Sequence, residues 1–229
     1  EAEHLAEFGE LLADDKRFVV PELLPELTTE HVLAMTYIES EPVDVIADLG
    51  QTQRDALVTA MMDLMLMEFF HLRMVQTDPN FANYRYQSAT DRMVLLDFGA
   101  TRRFKAKFVN EYRRMIKAAQ KGDETRLLDA AGKLGYVVED GSDAYREFVL
   151  AIFAIALEPM TTDGPYDFGA SDISTRLSEI GATAQDFREF WHAPPSDAVF
   201  FHRKVGGMFL LAQRMGARVD LKALAARWV

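Results

Sequence analysis

Apolar residues recur at helical spacing over most of the chain. Positions 2, 5, 8, 11 and 12 predict a helix over residues 1–12, and residues 55–75, apolar on most faces, predict one long buried helix. After residue 102 the pattern is helical to the end and predicts helices near 105–121, 123–134, 142–158, 171–180, 183–191, 199–215 and 219–227. The pattern therefore predicts an α+β fold, mainly α, with an all-helical C-terminal half.

Short strand-like runs lie around the long helix. Residues 18–21 and 31–38 are bounded by turn-forming residues and predict strands. Residues 84–86 alternate, 87–91 are rich in turn formers and 93–96 are apolar, which together predict a β-hairpin. Because a hairpin returns the end of its second strand to the start of its first, we expect Asp97 to lie beside Asn83.

Three polar side chains flank this hairpin: Asp78 and Asn83 before it, and Asp97 at its end. A carboxylate facing an amide oxygen suits Mg²⁺, which takes one or two protein oxygens and completes its shell with phosphate and water. A second carboxylate, Asp78, would orient an attacking hydroxyl or water. Asp-Phe-Gly alone is a common turn composition, but Asp-x-x-x-x-Asn, a hairpin and an apolar strand ending in Asp-Phe-Gly form a specific combination. It predicts a site for Mg²⁺ or Mn²⁺ and a nucleotide phosphate.

Composition excludes several other classes of protein. The 229 residues are 49% hydrophobic and 27% charged, as in an ordinary globular protein, and they include no cysteine, which excludes disulfide-stapled domains and thiolate metal sites. The five histidines, at 4, 31, 71, 192 and 202, do not form a zinc-hydrolase spacing. The net charge of −11 arises in residues 1–50, where thirteen acidic residues face two basic ones, and this favours a solvated acidic surface over a dedicated partner site. The neutral remainder argues against binding of duplex nucleic acid.

The residues of this site carry a family resemblance. Asp78 with Asn83, and the Asp-Phe-Gly triplet at 97–99, resemble the catalytic loop and metal-binding triplet of the protein-kinase-like fold. The surrounding segments, QTDPN at 76–80 and LLDFGATR at 95–102, are similar to the UbiB family of atypical kinases, and especially to its mitochondrial-type branch. This family supports ubiquinone biosynthesis. Further similar segments are FVVPE at 18–22, PYDFG at 165–169 and HRKVGG at 202–207.

The resemblance implies a division of the chain and a set of roles. Residues 1–38 would be a remnant of the N-terminal lobe, 39–43 the hinge and 44–229 the kinase-like C-terminal lobe. Asp97 and Asn83 would bind the metal, Asp78 would be catalytic, and backbone groups of the segment Glu39, Ser40 and Glu41 would bind the adenine of ATP or ADP. A plain strand-to-helix loop is the alternative for that segment. Glu1 corresponds to a family glutamate that contacts an upstream Lys-x-Gly-Gln segment, and we expect residues 1–229 alone not to turn over ATP.

The implied function is that of an atypical kinase or ATPase that supports ubiquinone (coenzyme Q) biosynthesis. Hydrolysis of ATP is favoured over protein phosphorylation, because no Ala-Pro-Glu triplet follows Asp-Phe-Gly. The alternatives are a nucleotide-sensing or lipid-binding pseudokinase scaffold without turnover, and a purely structural helical module. Implied partners are ATP, a membrane lipid or quinone precursor and quinone-biosynthetic enzymes, with no nucleic acid. The implied location is cytoplasmic or peripheral at the inner membrane, on the bacterial cytoplasmic or mitochondrial matrix side.

A second Asp-Phe-Gly triplet occurs at 167–169, within the helical half. The offsets that lead from Asp97 back to Asn83 and Asp78 lead from Asp167 to Phe153 and Phe148, which cannot bind a cation. Since Gly164-Pro165 precedes it, we predict that Asp167 forms a turn or a helix cap and has no part in metal binding. Its replacement by asparagine should cost at most about 1 to 2 kcal/mol of stability, the range for a lost cap.

Overall fold

The computed structural model describes residues 1–138, 141–190 and 194–229, without the side chains of 188 and 189. The α-helices of this part are α1 (Ala2–Leu11), α2 (Gln51–Met67), α3 (Ala106–Gln120), α4 (Glu124–Lys133), α5 (Asp143–Ala156), α6 (Glu158–Thr161), α7 (Ile173–Ala182), α8 (Ser196–Arg214) and α9 (Leu221–Ala225). The strands are β1 (Phe18–Val19), β2 (Glu41–Pro42), β3 (Met74–Gln76), β4 (Tyr84–Gln87), β5 (Arg92–Leu95), β6 (Thr101–Arg103), β7 (Tyr166–Asp167) and β8 (Arg218–Val219).

The predicted hairpin is confirmed as β4 and β5, within one residue of its expected bounds. It forms the centre of a four-stranded sheet in the order β1-β5-β4-β2, in which β1 runs parallel to β5 and the other pairs are antiparallel. Both faces of β5 are buried, as its uninterrupted apolar run indicates, and the adjacent residues Met93 and Val94 are each at 0% exposure. The proposed hinge segment 39–43 contains β2, at the edge of this sheet.

The prediction of a strand over residues 31–38 is wrong. Among the described residues this segment makes isolated bridges, Thr29 with Val32 and Leu23 with Met35, and no ladder. The Thr28 hydroxyl donates to Leu24 O at 2.9 Å and accepts from Ala34 N at 3.2 Å. Leu24 N also donates to Ala34 O and Thr36 N to Glu22 O, both at 2.9 Å, so the segment contacts residues 22–24 through one isolated bridge while a side chain takes the backbone N of Ala34.

Helix α2 is buried as predicted, but its end differs from the prediction. A π-helical turn follows it at 68–72, Arg73 adopts a left-handed backbone with φ 55°, and Met74 and Val75 belong to β3. The left-handed residue reverses the chain and so sets the start of the loop that carries Asp78. Inside α2, Asp63 is 1% exposed and accepts hydrogen bonds from Arg17 at 2.6 Å and Trp228 at 2.7 Å. Residues from both ends of the chain thus satisfy this buried charge.

The C-terminal half is helical close to the predicted bounds, apart from the antiparallel pair β7 and β8, which the expectation of an all-helical half lacked. Residues 183–190 form a 3₁₀ helix in place of the predicted α-helix, and the predicted end at 191 lies outside the described residues. Helix α8 packs against α2. Some residues of α8 line a cavity in the helical half, and others contact the loop at 77–83. Within the described ranges, no helix has the length and apolar character needed to cross a bilayer.

Candidate metal and nucleotide site

Two short antiparallel ladders hold the candidate site residues in place. Strands β3 and β6 pair on one side, and beyond them Thr77 donates to Ala100 O through its backbone N at 3.1 Å and its hydroxyl at 2.7 Å. On the other side the β4–β5 ladder continues in the bond from Leu96 N to Asn83 O at 3.0 Å. The hairpin therefore brings Asp97 beside Asn83, as the sequence predicted.

Both carboxylate oxygens of Asp78 already have partners. Oδ1 lies 2.6 Å from a guanidinium nitrogen of Arg203 on α8, and Oδ2 accepts from Asn83 Nδ2 at 3.1 Å. Because the amide nitrogen of Asn83 is used in this bond, its carbonyl oxygen is the atom left to face a cation. The Asn83 residue is 9% exposed, so the bond fixes a side chain that is largely shielded from water.

The Asp97 carboxylate has a different environment. Its Oδ1 accepts from Gly99 N at 2.8 Å, and no lysine or arginine among the described residues forms an ion pair with it. A methyl group at Gly99 would come within 3.2 Å of Glu1 Oε2 and 3.3 Å of Asp97 Oδ1, so two carboxylates flank this glycine. The two carboxylates beside Gly99 have no lysine or arginine partner among the described residues. Such oxygens suit a hard divalent cation.

The donor set fits a metal that arrives with phosphate. No group of three or more His, Cys, Asp or Glu side chains in the part of the chain described here forms a metal cage. Mg²⁺ bound with a nucleotide needs only one or two protein carboxylates, because phosphate and water supply the other oxygens. The oxygens of Asp97 and Asn83 therefore suffice for such a site and would not suffice for a dedicated structural metal.

The phenylalanine of the triplet joins the site to α1. Phe98 is 2% exposed, and its ring stacks on Phe8 with the centroids 4.6 Å apart. The side chains of Arg103 and Glu7 form an ion pair at 2.6 Å beside this stack. The N-terminal helix is thus fixed against the strand and loop that carry Asp97.

Helix α8 supports the site through residues to which the sequence assigned no role. Lys204 is 2% exposed, lies 3.3 Å from Glu68 Oε2 and donates to Tyr84 OH at 3.1 Å. Burial raises the pKa of the Glu68 carboxyl, and the nearby Lys204 ammonium group opposes that rise. At Gly207 a methyl group would fall 1.9 Å from Pro79 Cβ, so the helix backbone lies directly against the loop. The signal available in the sequence was the HRKVGG segment at 202–207, which places charges and glycines inside an apolar helix.

The residues of the proposed hinge lie beside β4. Arg85 Nε donates to Ser40 Oγ at 2.9 Å, and its guanidinium also bonds Ser40 O. Gln87 Nε2 donates to Glu39 O at 3.4 Å, and Glu41 pairs with Tyr86 in the ladder. The segment is therefore held by the strand that follows Asn83, and its role in binding adenine stays a prediction.

Known proteins are similar to this chain over most of its length. Residues 1–131 match the ABC1 atypical kinase-like domain family. The mitochondrial atypical kinase COQ8B of Rattus norvegicus is 36% identical over 221 residues, which is 95% of this chain and 41% of the relative, and COQ8 of Saccharomyces cerevisiae is 33% identical over 230 residues, 98% of this chain and 45% of the relative. The chain thus spans less than half the length of these relatives.

A solved structure, the complex of Rv3197 with erythromycin from Mycobacterium tuberculosis, superposes with a TM-score of 0.82 over 100% of this chain and 56% of that chain. At 21% identity this likeness bears on the fold alone. The predicted kinase-like, mainly α fold and the predicted similarity to mitochondrial-type UbiB atypical kinases are confirmed.

Proposed function

This chain belongs to the ABC1 atypical kinase-like family, and from that premise we propose that the complete protein binds Mg²⁺ with ATP or ADP and transfers or hydrolyses the terminal phosphate. Asp97 would hold a metal ion that arrives with the nucleotide phosphates, Asn83 would hold a second metal ion through its amide oxygen, and Asp78 would orient the attacking hydroxyl or water. Phosphoryl transfer asks of a protein mainly positioning and neutralisation of charge, which these groups supply.

The observation that carries this proposal is the contrast between the two aspartates. Asp78 is neutralised by Arg203 at 2.6 Å, whereas Asp97 has no cationic partner among the described residues. A bound divalent cation would supply that missing positive charge. Arg203 contacts Asp78, the residue proposed to orient the nucleophile. We therefore expect Arg203 to face the transferred phosphoryl group as well.

The biological role is proposed from the relatives. Proteins of the COQ8 type are named as mitochondrial atypical kinases, and we propose that this protein likewise supports ubiquinone biosynthesis, with hydrolysis of ATP as its reaction. Adenine would bind at Glu39, Ser40 and Glu41. Its partners would be a membrane lipid or quinone precursor and quinone-biosynthetic enzymes, at the surface of the inner membrane.

One observation favours a second candidate, a nucleotide-sensing scaffold without turnover. Arg203 and Asn83 together engage both oxygens of Asp78, so this aspartate has no oxygen left without a partner. A scaffold would bind nucleotide and metal with Asp78 used only for these two contacts, whereas an enzyme would use a remaining lone pair of the carboxylate to orient the nucleophile.

Two measurements on the complete protein separate these functions. Calorimetry should detect ATP and ADP binding that requires Mg²⁺ or Mn²⁺ and disappears with a chelator. Phosphate release at saturating Mg²⁺ and ATP then distinguishes an ATPase from a scaffold. Nucleotide binding of equal strength with and without divalent metal would refute the assignment of Asp97 and Asn83.

A further inference from the structure

The helical half contains a cavity of about 670 Å³ between α2, α3, α5, α7 and α8. Its wall is almost wholly aliphatic and aromatic, and includes Met65, Phe148, Phe153, Leu177 and Phe209. Its volume is typical of pockets that bind small molecules.

No lysine, arginine, aspartate or glutamate among the described residues lines this cavity. An ion buried there would lose its hydration without gaining a counter-charge, which is costly. The wall therefore selects for an uncharged ligand and against carboxylates, phosphates and ammonium groups.

The wall has one compact polar cluster, formed by Tyr112, Tyr136 and His202. The hydroxyls of Tyr112 and Tyr136 lie 3.0 and 2.9 Å from His202 Nε2, and they also contact each other. Burial lowers the pKa of His202 and raises the pKa values of Tyr112 and Tyr136, that of Tyr136 to about 12, which favours the neutral form of all three groups. Each hydroxyl oxygen has two lone pairs and one proton, so the cluster retains capacity to bond one further polar group.

We propose that this cavity is a second ligand site, for an uncharged apolar small molecule with a single hydroxyl or carbonyl group that bonds to the cluster of Tyr112, Tyr136 and His202. The apolar body of the ligand fills the aromatic and aliphatic part of the cavity. Helix α8 separates this site from the nucleotide site, because His202 and Gly206 line the cavity while Arg203 and Gly207 contact the loop at 77–83. The inference does not depend on the proposed nucleotide function.

A binding experiment with matched ligands tests the stated chemistry. The complete protein is loaded with Nile red, an uncharged apolar dye, and the dye is displaced by dodecan-1-ol, 1-chlorododecane or dodecanoate, which share one chain and differ in the head group. Dodecan-1-ol should bind about 3- to 10-fold more tightly than 1-chlorododecane, the value of one hydrogen bond. Dodecanoate should bind at least about tenfold more weakly than the alcohol, since its charge has no partner.

Two glycines provide a matched pair of variants. Gly206 lines the cavity and Gly181 does not, both lie in helices, and a Cβ at either position meets no atom within 4 Å. Gly206→Trp should fill part of the cavity and weaken the alcohol at least about tenfold, with no loss of thermal stability, because tryptophan is a better helix former than glycine. Gly181→Trp should leave its affinity unchanged. Tyr136→Phe should weaken the alcohol about 3- to 10-fold and leave 1-chlorododecane unchanged.

Several results would overturn the proposal. It fails if none of the three ligands displaces the dye, if Gly206→Trp and Gly181→Trp behave alike, or if dodecanoate binds as well as the alcohol. Binding to residues 1–229 alone but not to the complete protein would mean that another segment of the polypeptide occupies the cavity. If the protein dimerises and the dimer no longer binds the dye, the cavity is instead a contact surface for a second copy of the chain. Calorimetry with Mg²⁺ and ADP on the same samples reports separately on the nucleotide site.

Discussion

The chain contains the sequence Asp-Phe-Gly twice, at 97–99 (the first triplet) and at 167–169 (the second triplet). The two triplets have similar local structures. In the first, Asp97 Oδ1 accepts from Gly99 N at 2.8 Å, and in the second, Asp167 Oδ1 accepts from Ala170 N at 3.2 Å. Both phenylalanines are buried, at 2% and 1% exposure. The triplet by itself is therefore a tight turn anchored by an aromatic ring, and the predicted turn role of Asp167 is confirmed.

The surroundings of the two triplets differ in charge. Asp167 Oδ2 pairs with Arg218 Nε at 3.2 Å across the β7–β8 ladder, whereas Asp97 faces Asn83 and has no cationic partner in the described part of the chain. The second triplet leads into the apolar cavity, which Phe168 lines. Under the proposed function, a metal site at such a turn would need an oxygen ligand across the hairpin and an acid left without a counter-charge.

The largest expected difference concerns the ion pairs at the two triplets, one buried and one exposed. Lys204→Met leaves Glu68 buried at 2% exposure without its cation, and should lower the free energy of unfolding by about 3 to 5 kcal/mol. Arg218→Met removes a pair whose members are 56% and 42% exposed, and should cost less than about 1 kcal/mol. Urea denaturation measures both. The double variant Glu68→Gln/Lys204→Met should recover part of the loss, and equal losses for the two single variants would contradict the contrast.

The second prediction concerns metal binding at the first triplet. Asp97→Asn should weaken Mg²⁺–ADP binding by at least about 100-fold, or about 2.7 kcal/mol, because it removes a charged ligand, and even the loss of a group that only orients a metal ligand costs about 10- to 100-fold. Asp78→Asn should lower kcat with little change in affinity, because that group faces the nucleophile. Calorimetry and phosphate release on both variants measure the two effects. Equal losses of affinity would remove the proposed division of roles.

A third prediction uses two adjacent glycines of α8. Gly207→Ala places a methyl group 1.9 Å from Pro79 Cβ, and the resulting overpacking should cost about 1 to 3 kcal/mol and weaken Mg²⁺–ADP binding by displacing the loop. Gly206→Ala meets no atom within 4 Å and should stabilise the helix by up to about 1 kcal/mol. Thermal unfolding with and without nucleotide measures both. A neutral Gly207→Ala variant would show that α8 does not position the loop.

Patterns of residues close together in the sequence made part of this structure predictable. The hairpin follows from alternation, a turn-rich stretch and an apolar run, all within fourteen residues, and it fixes Asp97 beside Asn83. The contact of Arg203 with Asp78 spans 125 residues and depends on how α8 packs, so no local pattern contains it. The wrong strand prediction at 31–38 shows the same limit, because the segment forms one isolated bridge with residues 22–24 and the Thr28 hydroxyl takes Ala34 N, which the composition of the segment does not reveal.

The smallest expected effect is that of Asp167→Asn at the second triplet. Asparagine keeps the side-chain oxygen that accepts from Ala170 N, so the turn retains its bond at 3.2 Å. The change removes only the ion pair with Arg218, and exposed pairs of this kind contribute about 0 to 1 kcal/mol because water and salt screen them. The free energy of unfolding should therefore fall by no more than about 1 kcal/mol, less than the 1 to 2 kcal/mol of a lost cap, and Mg²⁺–ADP affinity should not change.

Thermal unfolding and calorimetry on Asp167→Asn, beside Asp97→Asn as the matched change in the first triplet, measure both quantities. Raising the salt concentration should bring the stability of wild type and Asp167→Asn together, because the ion pair is screened while the turn bond is not. A loss of nucleotide affinity without a loss of stability would mean that the second triplet binds the ligand, and that the counter-charge from Arg218 does not distinguish the two turns.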